Sequence, residues 1–311
     1  MRRFLQCVVA LTLTASATMP ALAWTRPGHM VTAAIAFDEI ARDHPEILAT
    51  LERLLDAHPD RGPFQVAIDR TTGHERIRRM FLECARWPDD VRETHHDHPG
   101  WHAALSNVHR PDRGSSADET PTGQAFEAFA LSFKQLSDTT ASPGERAVAL
   151  CWVLHLAGDI HQPLHTAQLV SKDFPGGDRG GGLQYVIDPL SAEPISLHWL
   201  WDDSVHRSGD VASVNRKAAE LTARFPRTRL EELHTTTLAS QFPEWARRES
   251  YPLAASMAYG GAIPAGMTPK TAVPVSAEAW RELQKVTARR ATLAGYRMAD
   301  LMVLALAAAT Q

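Results

Sequence analysis

Apolar residues recur at spacings of three and four along most of the chain, the pattern of helices that bury one face. Strand-like alternation is confined to residues 183–188, which we expect to pair with 195–197 as a small hairpin. The chain is therefore predicted to be all-α, a multi-helix bundle with at most that hairpin. The helices are predicted over residues 29–42, 46–57, 74–86, 124–137, 145–161, 211–224, 243–258 and 276–308.

The clearest helix start is Ser142-Pro143-Gly144-Glu145, a capping box with proline at the first helical position. The segment that follows, residues 147–160, is apolar on nearly every face, which predicts a central helix surrounded by others. Polar and glycine-rich loops are predicted over 112–123, 173–182 and 260–274. None of them resembles a linker between independent cores, so residues 24–311 are predicted to form a single domain.

The first 23 residues have the three-part form of a secretory signal peptide. Arg2 and Arg3 precede an apolar stretch, and Ala21-Leu22-Ala23 supplies a small-x-small cleavage site. Cleavage after Ala23 would leave Trp24 as the mature N-terminus. No later stretch offers about 20 uncharged apolar residues, so we expect a protein that is secreted or periplasmic.

Charge narrows the classes of partner. Two of the 32 Lys+Arg lie in the signal, so the mature chain has 30 against 36 Asp+Glu, a net charge of −6. We do not expect a mildly acidic chain to bind nucleic acid through a broad basic surface. Any phosphate binding must come from another source of positive charge.

The mature chain keeps two cysteines, Cys84 and Cys151. Export permits a disulfide, but two thiols in a chain of this length do not make a disulfide scaffold. A disulfide and two buried free thiols are both open from the sequence.

Two pairs of candidate metal ligands share one spacing, in which an aspartate follows a histidine by four residues. His155 and Asp159 are four residues apart on the central helix, so both project from one face and can reach a common ion. A single HxxxD pair is more often a buried histidine bonded to a carboxylate. The repeat at His198 and Asp202, again among apolar residues, favours metal binding because solvated surface does not explain two such pairs.

Other histidines divide into ligands and structural residues. His165 lies off the face of Asp159 and beyond Pro163, which ends or bends a helix, so it would serve a different ion. His161 precedes Gln162-Pro163 directly and is interpreted as a structural residue that holds the turn. The polar cluster of residues 95–98, His-His-Asp-His, is interpreted as an exposed loop.

Further candidates lie upstream of the central helix. Trp24, after cleavage, would bring a free amine near His29. Asp89 follows an apolar helix, with Arg92 three residues later, and His102 adds another imidazole. Arg92 is either a phosphate contact or an exposed helix arginine.

Imidazoles and carboxylates without a thiolate set suit zinc in open, catalytic coordination. Paired zinc ions generate hydroxide near neutral pH and neutralise charge at phosphorus. Bound metals, rather than lysines, would then supply the positive potential that the acidic chain lacks.

Taken in order, the motifs resemble a known family. WxxxGH at Trp24, WxD at Trp87, WH at Trp101, HxxGDxHQPLH at His155, GGDxGG at Gly176 and LHxxWD at Leu197 look like the zinc-dependent, single-strand-specific nucleases of the S-one/P-one type. Bacterial zinc phospholipase C is a distant relative of these enzymes. HxxGDxHQPLH is the most specific of the motifs.

The resemblance implies three zinc ions and assigns their ligands. Asp159 would bridge the first two ions, and Arg92 would lie near the phosphate. The implied ligand sets are Asp89, His102, His155 and Asp159 for one ion, the Trp24 amine and carbonyl with His29 and Asp159 for a second, and His165, His198 and Asp202 for the third.

The implied reaction is attack of zinc-activated hydroxide on phosphorus, with Asp89, Asp159 and Arg92 as catalytic residues. Its substrate would be single-stranded DNA or RNA, its products 5′-nucleotides, and 3′-nucleotidase activity is a further expectation. The alternatives are a phospholipase C that acts on phospholipid headgroups and a non-catalytic zinc-binding protein. No protein partner is implied, and we expect a monomer.

Three positions depart from the family pattern. Ala103 stands where the nucleases often carry an aromatic that stacks on a base, an interaction worth about 1–3 kcal/mol. Gly182 and Ser196 each replace an expected asparagine. The metal ligands are complete, so phosphoester hydrolysis is better supported than nucleic acid as the substrate.

Overall fold

The computed structural model describes residues 24–109 and 120–306, and the predicted signal peptide lies outside them. These residues confirm the all-α class. The α-helices are α1 (Arg26–Asp43), α2 (Leu48–Asp56), α3 (Arg61–Ala67), α4 (Gly73–Asp90), α5 (Ala125–Ser137), α6 (Pro143–Asp159), α7 (Leu197–Asp202), α8 (Val211–Arg224), α9 (Phe242–Glu244), α10 (Tyr251–Leu253) and α11 (Ala277–Leu306).

Short 3-10 turns and strands join the helices. The 3-10 turns are Pro45–Ile47, Pro99–His102, Pro163–His165, Arg227–Arg229, Glu231–Leu233, Ala239–Gln241 and Pro269–Thr271. The strands are β1 (Ser106–His109), β2 (Ala167–Val170), β3 (Tyr185–Ile187), β4 (Pro194–Ser196) and β5 (Val273–Pro274).

Helix α6 is the central helix that the sequence predicts. Its capping box is formed, because the Ser142 side chain accepts from the Glu145 backbone N–H and the Glu145 carboxylate accepts from Ser142. α4, α5 and α11 pack around it, and every residue over 149–171 is buried. The helix ends at Asp159 rather than at 161, and the buried turn that follows carries the remaining residues of the HxxGDxHQPLH motif.

Two apolar clusters make up the core of the described residues. The larger one is built around α1, α4, α5, α6 and α11. The smaller one gathers Leu164, Val186, Leu197 and Trp201 with the first turns of α11. His165 and His198 adjoin Leu164 and Leu197 of the smaller cluster, whereas His155 lies on α6 within the larger one.

The strands are more numerous than predicted. The hairpin is confirmed, with Tyr185 opposite Ser196. The prediction that residues 183–188 are the only strand candidate is wrong, because β1 pairs with β2 and β5 pairs with β3, both in parallel. Parallel pairing joins segments far apart in the chain, and strands of two to four residues show no alternation to detect.

Helix α4 continues to Asp90, although Pro88 lies within it. The prediction that Asp89 follows the helix is therefore wrong. The buried Trp87 and Asp89 hold the last turn in place, and the Val91 N–H donates to the Trp87 carbonyl at 3.2 Å. Tertiary packing here overrides the tendency of proline to end a helix.

Other boundaries differ by a few residues. α1 begins at Arg26 rather than at 29, because Pro27 suits the first turn of a helix. α3 was not predicted, since its seven residues span too few turns to show a period. The helical range predicted over 243–258 is α9 and α10 interleaved with two π-helical segments, Trp245–Ser250 and Ala254–Ala258. The single domain over 24–311 stays a prediction.

The described helices include none with the length and apolar character needed to cross a membrane.

The crossing of α1 and α11 depends on a glycine. A Cβ on Gly295 would lie 2.6 Å from Ile35 Cβ and 2.9 Å from the Thr32 carbonyl oxygen. We predict that Gly295→Ala lowers the free energy of unfolding by about 2 kcal/mol, because overpacking exceeds the gain in helix propensity. Urea unfolding at a fixed zinc concentration measures the change.

Gly209→Ala is the matched control, because a Cβ there meets nothing within 4 Å. Its effect should stay within about 0.5 kcal/mol. Equal small effects of the two variants would show that α1 and α11 can move apart freely.

Candidate metal centre

Eight of the nine predicted ligands are histidine and aspartate side chains, and all eight are buried. Among the described residues, their ligand atoms converge in three groups, each within 4.8 Å. The groups are His29, Asp89 and His155; His102, His155 and Asp159; and His165, His198 and Asp202. The first two share His155 and are called the five-ligand cluster, and the last is called the three-ligand cluster.

Helix α6 supplies the centre of the five-ligand cluster. His155 Nδ1 donates to the Ala85 carbonyl at 2.9 Å, so the unprotonated Nε2 points inward. That Nε2 lies 3.4 Å from Asp159 Oδ2 and 3.9 Å from Asp89 Oδ1. The spacing of four residues therefore places both side chains as the sequence predicts.

Asp159 turns its two oxygens in different directions. Oδ2 lies 3.2 Å from His102 Nδ1, whereas Oδ1 lies 3.2 Å from His29 Nε2. A carboxylate that bridges two ions needs this arrangement. His29 also groups with Asp89 and His155, so the five ligands form one continuous cluster rather than two separate sets.

The three-ligand cluster is assembled from two short elements. His165 Nδ1 donates to the His102 carbonyl at 2.6 Å, and His198 Nδ1 donates to the Gly180 carbonyl at 2.7 Å. Their Nε2 atoms face each other at 3.2 Å, and His198 Nε2 lies 3.4 Å from Asp202 Oδ2. As predicted, His165 serves a different group from Asp159.

The parallel pairing of β1 with β2 brings the two clusters together. β1 follows His102 and β2 follows His165, and the Ala104 N–H donates to the His165 carbonyl at 2.9 Å. The two ligands therefore start neighbouring strands. This pairing was not predicted from the sequence.

The glycine-rich loop of residues 176–182 holds His198. Gly180 has a φ of +62°, and a Cβ there would lie 2.4 Å from the Leu164 carbonyl oxygen, so only glycine fits. Asp178 anchors the loop by accepting from the Leu169 N–H at 2.8 Å and from Gln184 Nε2 at 2.6 Å. The motif was visible in the sequence, but its role in orienting a ligand was not.

Gln162 is a functional residue that the sequence interpretation missed. Its Nε2 donates to Asp202 Oδ1 at 2.6 Å, and its Oε1 accepts from the Leu164 N–H at 2.5 Å. The side chain therefore orients Asp202 from the turn that follows Asp159. Its place in the HQPLH motif was the available signal.

Burial shifts the pKa values in the clusters in opposite directions. Desolvation raises the pKa of Asp89 to about 7 and raises the pKa of Asp159 and Asp202 well above the ordinary value. Desolvation lowers the pKa of His155 to about 3 and lowers that of His29 and His102 well below the ordinary value. The imidazoles are therefore neutral at pH 7, the form that binds metals.

These residues fit divalent cations on their donor atoms alone. Asp89 Oδ2, Asp159 Oδ1 and Asp202 Oδ2 are buried and accept no hydrogen bond from the described residues. His165 and His198 donate Nδ1–H to the His102 and Gly180 carbonyls, so their Nε2 atoms, 3.2 Å apart, are the nitrogens that face the cluster. Buried acceptor atoms that converge in this way are stabilised by a cation.

Trp24 lies beside the five-ligand cluster. The side chain is buried, and Nε1 donates to the Gly158 carbonyl at 2.9 Å, one residue before Asp159. The Thr25 N–H donates to the Asp202 carbonyl at 3.2 Å. Coordination through the Trp24 amine and carbonyl stays a prediction.

Arg92 is not the exposed helix arginine of the alternative interpretation. It follows the end of α4 and its side chain is 20% exposed, with Nη2 donating to Asp89 Oδ1 at 3.0 Å. Its Nε is buried and donates to none of the described residues. The guanidinium therefore has a donor left for a phosphate oxygen beside the cluster.

The loop of residues 95–98 is only partly as predicted. His95 is exposed, but His96, Asp97 and His98 are half-buried, so the prediction of an exposed loop is wrong for those three. The reason is aromatic packing: His98 stacks on Trp101 with 3.9 Å between ring centroids.

His161 has the structural role predicted for it. Nδ1 donates to the Ala157 carbonyl at 2.7 Å, and Nε2 accepts from Arg297 Nη1 at 2.9 Å. Arg297 and Arg290 both pair with Glu249, and Arg290 also donates to the His161 carbonyl. This buried ion network holds the turn after α6 and contributes no ligand.

Two of the remaining questions from the sequence have structural answers. Cys84 and Cys151 form a disulfide between α4 and α6. Ser196, one of the departures from the family pattern, caps α7 by accepting from the Trp199 N–H at 3.0 Å. Its hydroxyl thus holds the helix that carries His198 and Asp202.

Comparisons with known proteins agree with the motifs. A family model described as S1/P1 Nuclease matches residues 24–307. Endonuclease 4 of Arabidopsis thaliana is 26% identical over 206 residues, which is 60% of this chain and 57% of that protein. The alignment thus spans little more than half the length of this relative.

Metal loading should release protons. Without metal, burial raises the pKa of Asp89 to about 7 and that of Asp159 and Asp202 well above the ordinary value, so these carboxyls keep protons to higher pH than exposed ones, whereas metal binding requires the carboxylate form. We predict that zinc binding at pH 7 releases at least about one proton per chain. Calorimetry in buffers of different ionisation enthalpy measures this release, and a heat that is independent of the buffer would contradict it.

Substitutions of Asp159 and of His161 should affect metal content differently. Asp159→Asn should remove metal from the five-ligand cluster, because each oxygen faces a different set of ligands. His161→Asn should keep the full metal content at a lower melting temperature, because its nitrogens bond Ala157 and Arg297 instead. Elemental mass spectrometry of both variants counts the metal, and equal losses would refute this division of roles.

Proposed function

The chain belongs to the S1/P1 nuclease family, and we propose that it is a zinc-dependent phosphodiesterase that hydrolyses single-stranded DNA and RNA to 5′-nucleotides. Three zinc ions would occupy the two clusters, and 3′-nucleotidase activity is part of the proposal. The supporting observation is the convergence of eight buried imidazole and carboxylate side chains into groups whose ligand atoms lie within 4.8 Å of one another.

The zinc assignment rests on donor chemistry. Histidine nitrogens and carboxylate oxygens with no thiolate suit zinc in open coordination. When bound, paired zinc ions lower the pKa of a water and neutralise negative charge at phosphorus. The mature chain, with 30 Lys+Arg against 36 Asp+Glu, has a net charge of −6, so its composition does not favour a broad basic surface in this role.

The residues of this chain perform the remaining steps. Asp159 on α6 and Asp89 on α4 would bind the ions at the reacting phosphate. Their carboxylate oxygens lie 3.4 Å and 3.9 Å from His155 Nε2. Arg92 is tethered to Asp89 and donates its remaining N–H groups to a phosphate oxygen, which orients the phosphate for in-line attack. Gln162 and the Gly180 carbonyl keep Asp202 and His198 in place for the departing oxygen.

Maturation and export are part of the same proposal. Cleavage after Ala23 would free the amine of Trp24, and the indole Nε1 of the same residue donates to the Gly158 carbonyl, next to Asp159. The metal site would then be completed only after processing, in a secreted or periplasmic protein. The family match beginning at Trp24 supports this view.

The test offers competing substrates to the purified protein. We expect single-stranded DNA and RNA to be cut faster than duplex DNA, with 5′-phosphate on the products and no cleavage after chelation. Asp159→Asn is the inactive control. Phosphatidylcholine is assayed beside the nucleic acids because Ala103 lacks a base-stacking ring.

Each competing result has a definite meaning. Release of diglyceride without any nucleotide would replace the nuclease with a phospholipase C. Zinc binding without turnover of bis-nitrophenyl phosphate would replace both with a zinc-binding protein.

A further inference from the structure

The disulfide between Cys84 and Cys151 joins the two helices that supply the centre of the five-ligand cluster. The two Cα atoms are 4.6 Å apart. Since a Cα lies about 2.3 Å from its helix axis, α4 and α6 approach to about 9 Å, ordinary contact for packed helices. The disulfide therefore lies where the two helices pack against each other.

Ligands follow the disulfide on both helices. On α6, Cys151, His155 and Asp159 are each four residues apart, so all three share one face. On α4, the Ala85 carbonyl adjoins Cys84 and accepts from His155 Nδ1, and Asp89 comes one turn later. Orientation of His155 and placement of Asp89 thus both depend on how far α4 is shifted along α6.

A small shift would be enough to spoil the site. Metal ligands must lie within about 0.2 Å of their normal distances, whereas a slip by one residue moves a helix by about 1.5 Å. Within the described residues, the bond from His155 to the Ala85 carbonyl is the one hydrogen bond between α4 and α6. Hydrogen bonds alone therefore do little to fix the position of α4 along α6.

We propose that Cys84 and Cys151 are positioning residues, whose disulfide fixes the register of α4 on α6 and so preorganises the five-ligand cluster for metal. This inference rests on the proposed function only in taking zinc as the ion. It gives the disulfide a local role in addition to its general stabilisation of the fold.

The three-ligand cluster supplies an internal comparison. His165, His198 and Asp202 are oriented by the His102 carbonyl, the Gly180 carbonyl and Gln162, none of which lies on α4. Loss of the disulfide should therefore weaken the two clusters unequally.

The experiment measures zinc retention in Cys84→Ala/Cys151→Ala by native mass spectrometry across a chelator titration. For the five-ligand cluster, the chelator concentration that removes half the zinc should fall about tenfold or more, the usual effect of losing a residue that orients ligands. For the three-ligand cluster it should change less than about twofold. Adding Asp202→Asn identifies the retained ion, since the combined variant should then hold none.

Leu221→Ala is the control for general destabilisation, because Leu221 is fully buried on α8, which carries no predicted ligand. It should lower the melting temperature without separating the two clusters. If the double alanine variant does not fold, Cys84→Ala/Cys151→Val refills the volume and is measured instead.

The outcomes separate this inference from the proposed function. A parent protein that binds no zinc would refute the proposed function. If the parent binds zinc, either of two results would refute the positioning role alone. In the first, the disulfide variant releases its zinc at the same chelator concentration as the parent. In the second, it loses zinc from both clusters together.

Discussion

The structure depends on one electrostatic constraint: lone pairs of nitrogen and oxygen converge in an interior that excludes water. The Nε2 atoms of His165 and His198 face each other at 3.2 Å, and Asp159 directs an oxygen toward each side of the five-ligand cluster. Burial favours the protonated form of a carboxyl group, and for that reason the pKa values of Asp89, Asp159 and Asp202 are raised. Divalent cations convert the same arrangement from unfavourable to favourable.

Backbone carbonyls, rather than other side chains, decide which imidazole nitrogen faces inward. Ala85, His102 and Gly180 each accept an Nδ1–H, so His155, His165 and His198 present Nε2. A carbonyl on a helix, a 3-10 turn or a glycine loop is fixed by the fold around it. The orientation of these three imidazoles is therefore set by the backbone around them.

The sequence could predict what depends on local spacing. The faces of α6 and α7, the separation of His165 from Asp159, the capping box at Ser142 and the structural role of His161 all follow from short spacings or from proline. Parallel pairing of β1 with β2 could not be predicted, because it joins segments about sixty residues apart and leaves no periodic trace. The same limit hid Gln162, whose partner Asp202 is 40 residues away, and left the state of Cys84 and Cys151 open.

The departures from the family pattern concern the substrate, whereas the residues that build the metal clusters are complete. Ser196 uses its hydroxyl to cap α7, and Gly182 and Ala103 have no side chain that could hydrogen-bond or stack. Under the proposed function, recognition would rest on the phosphate, with the metal clusters and Arg92 as its binding groups, more than on the base. A site of that kind discriminates among phosphodiesters by shape and access, since each of them presents the same charged group.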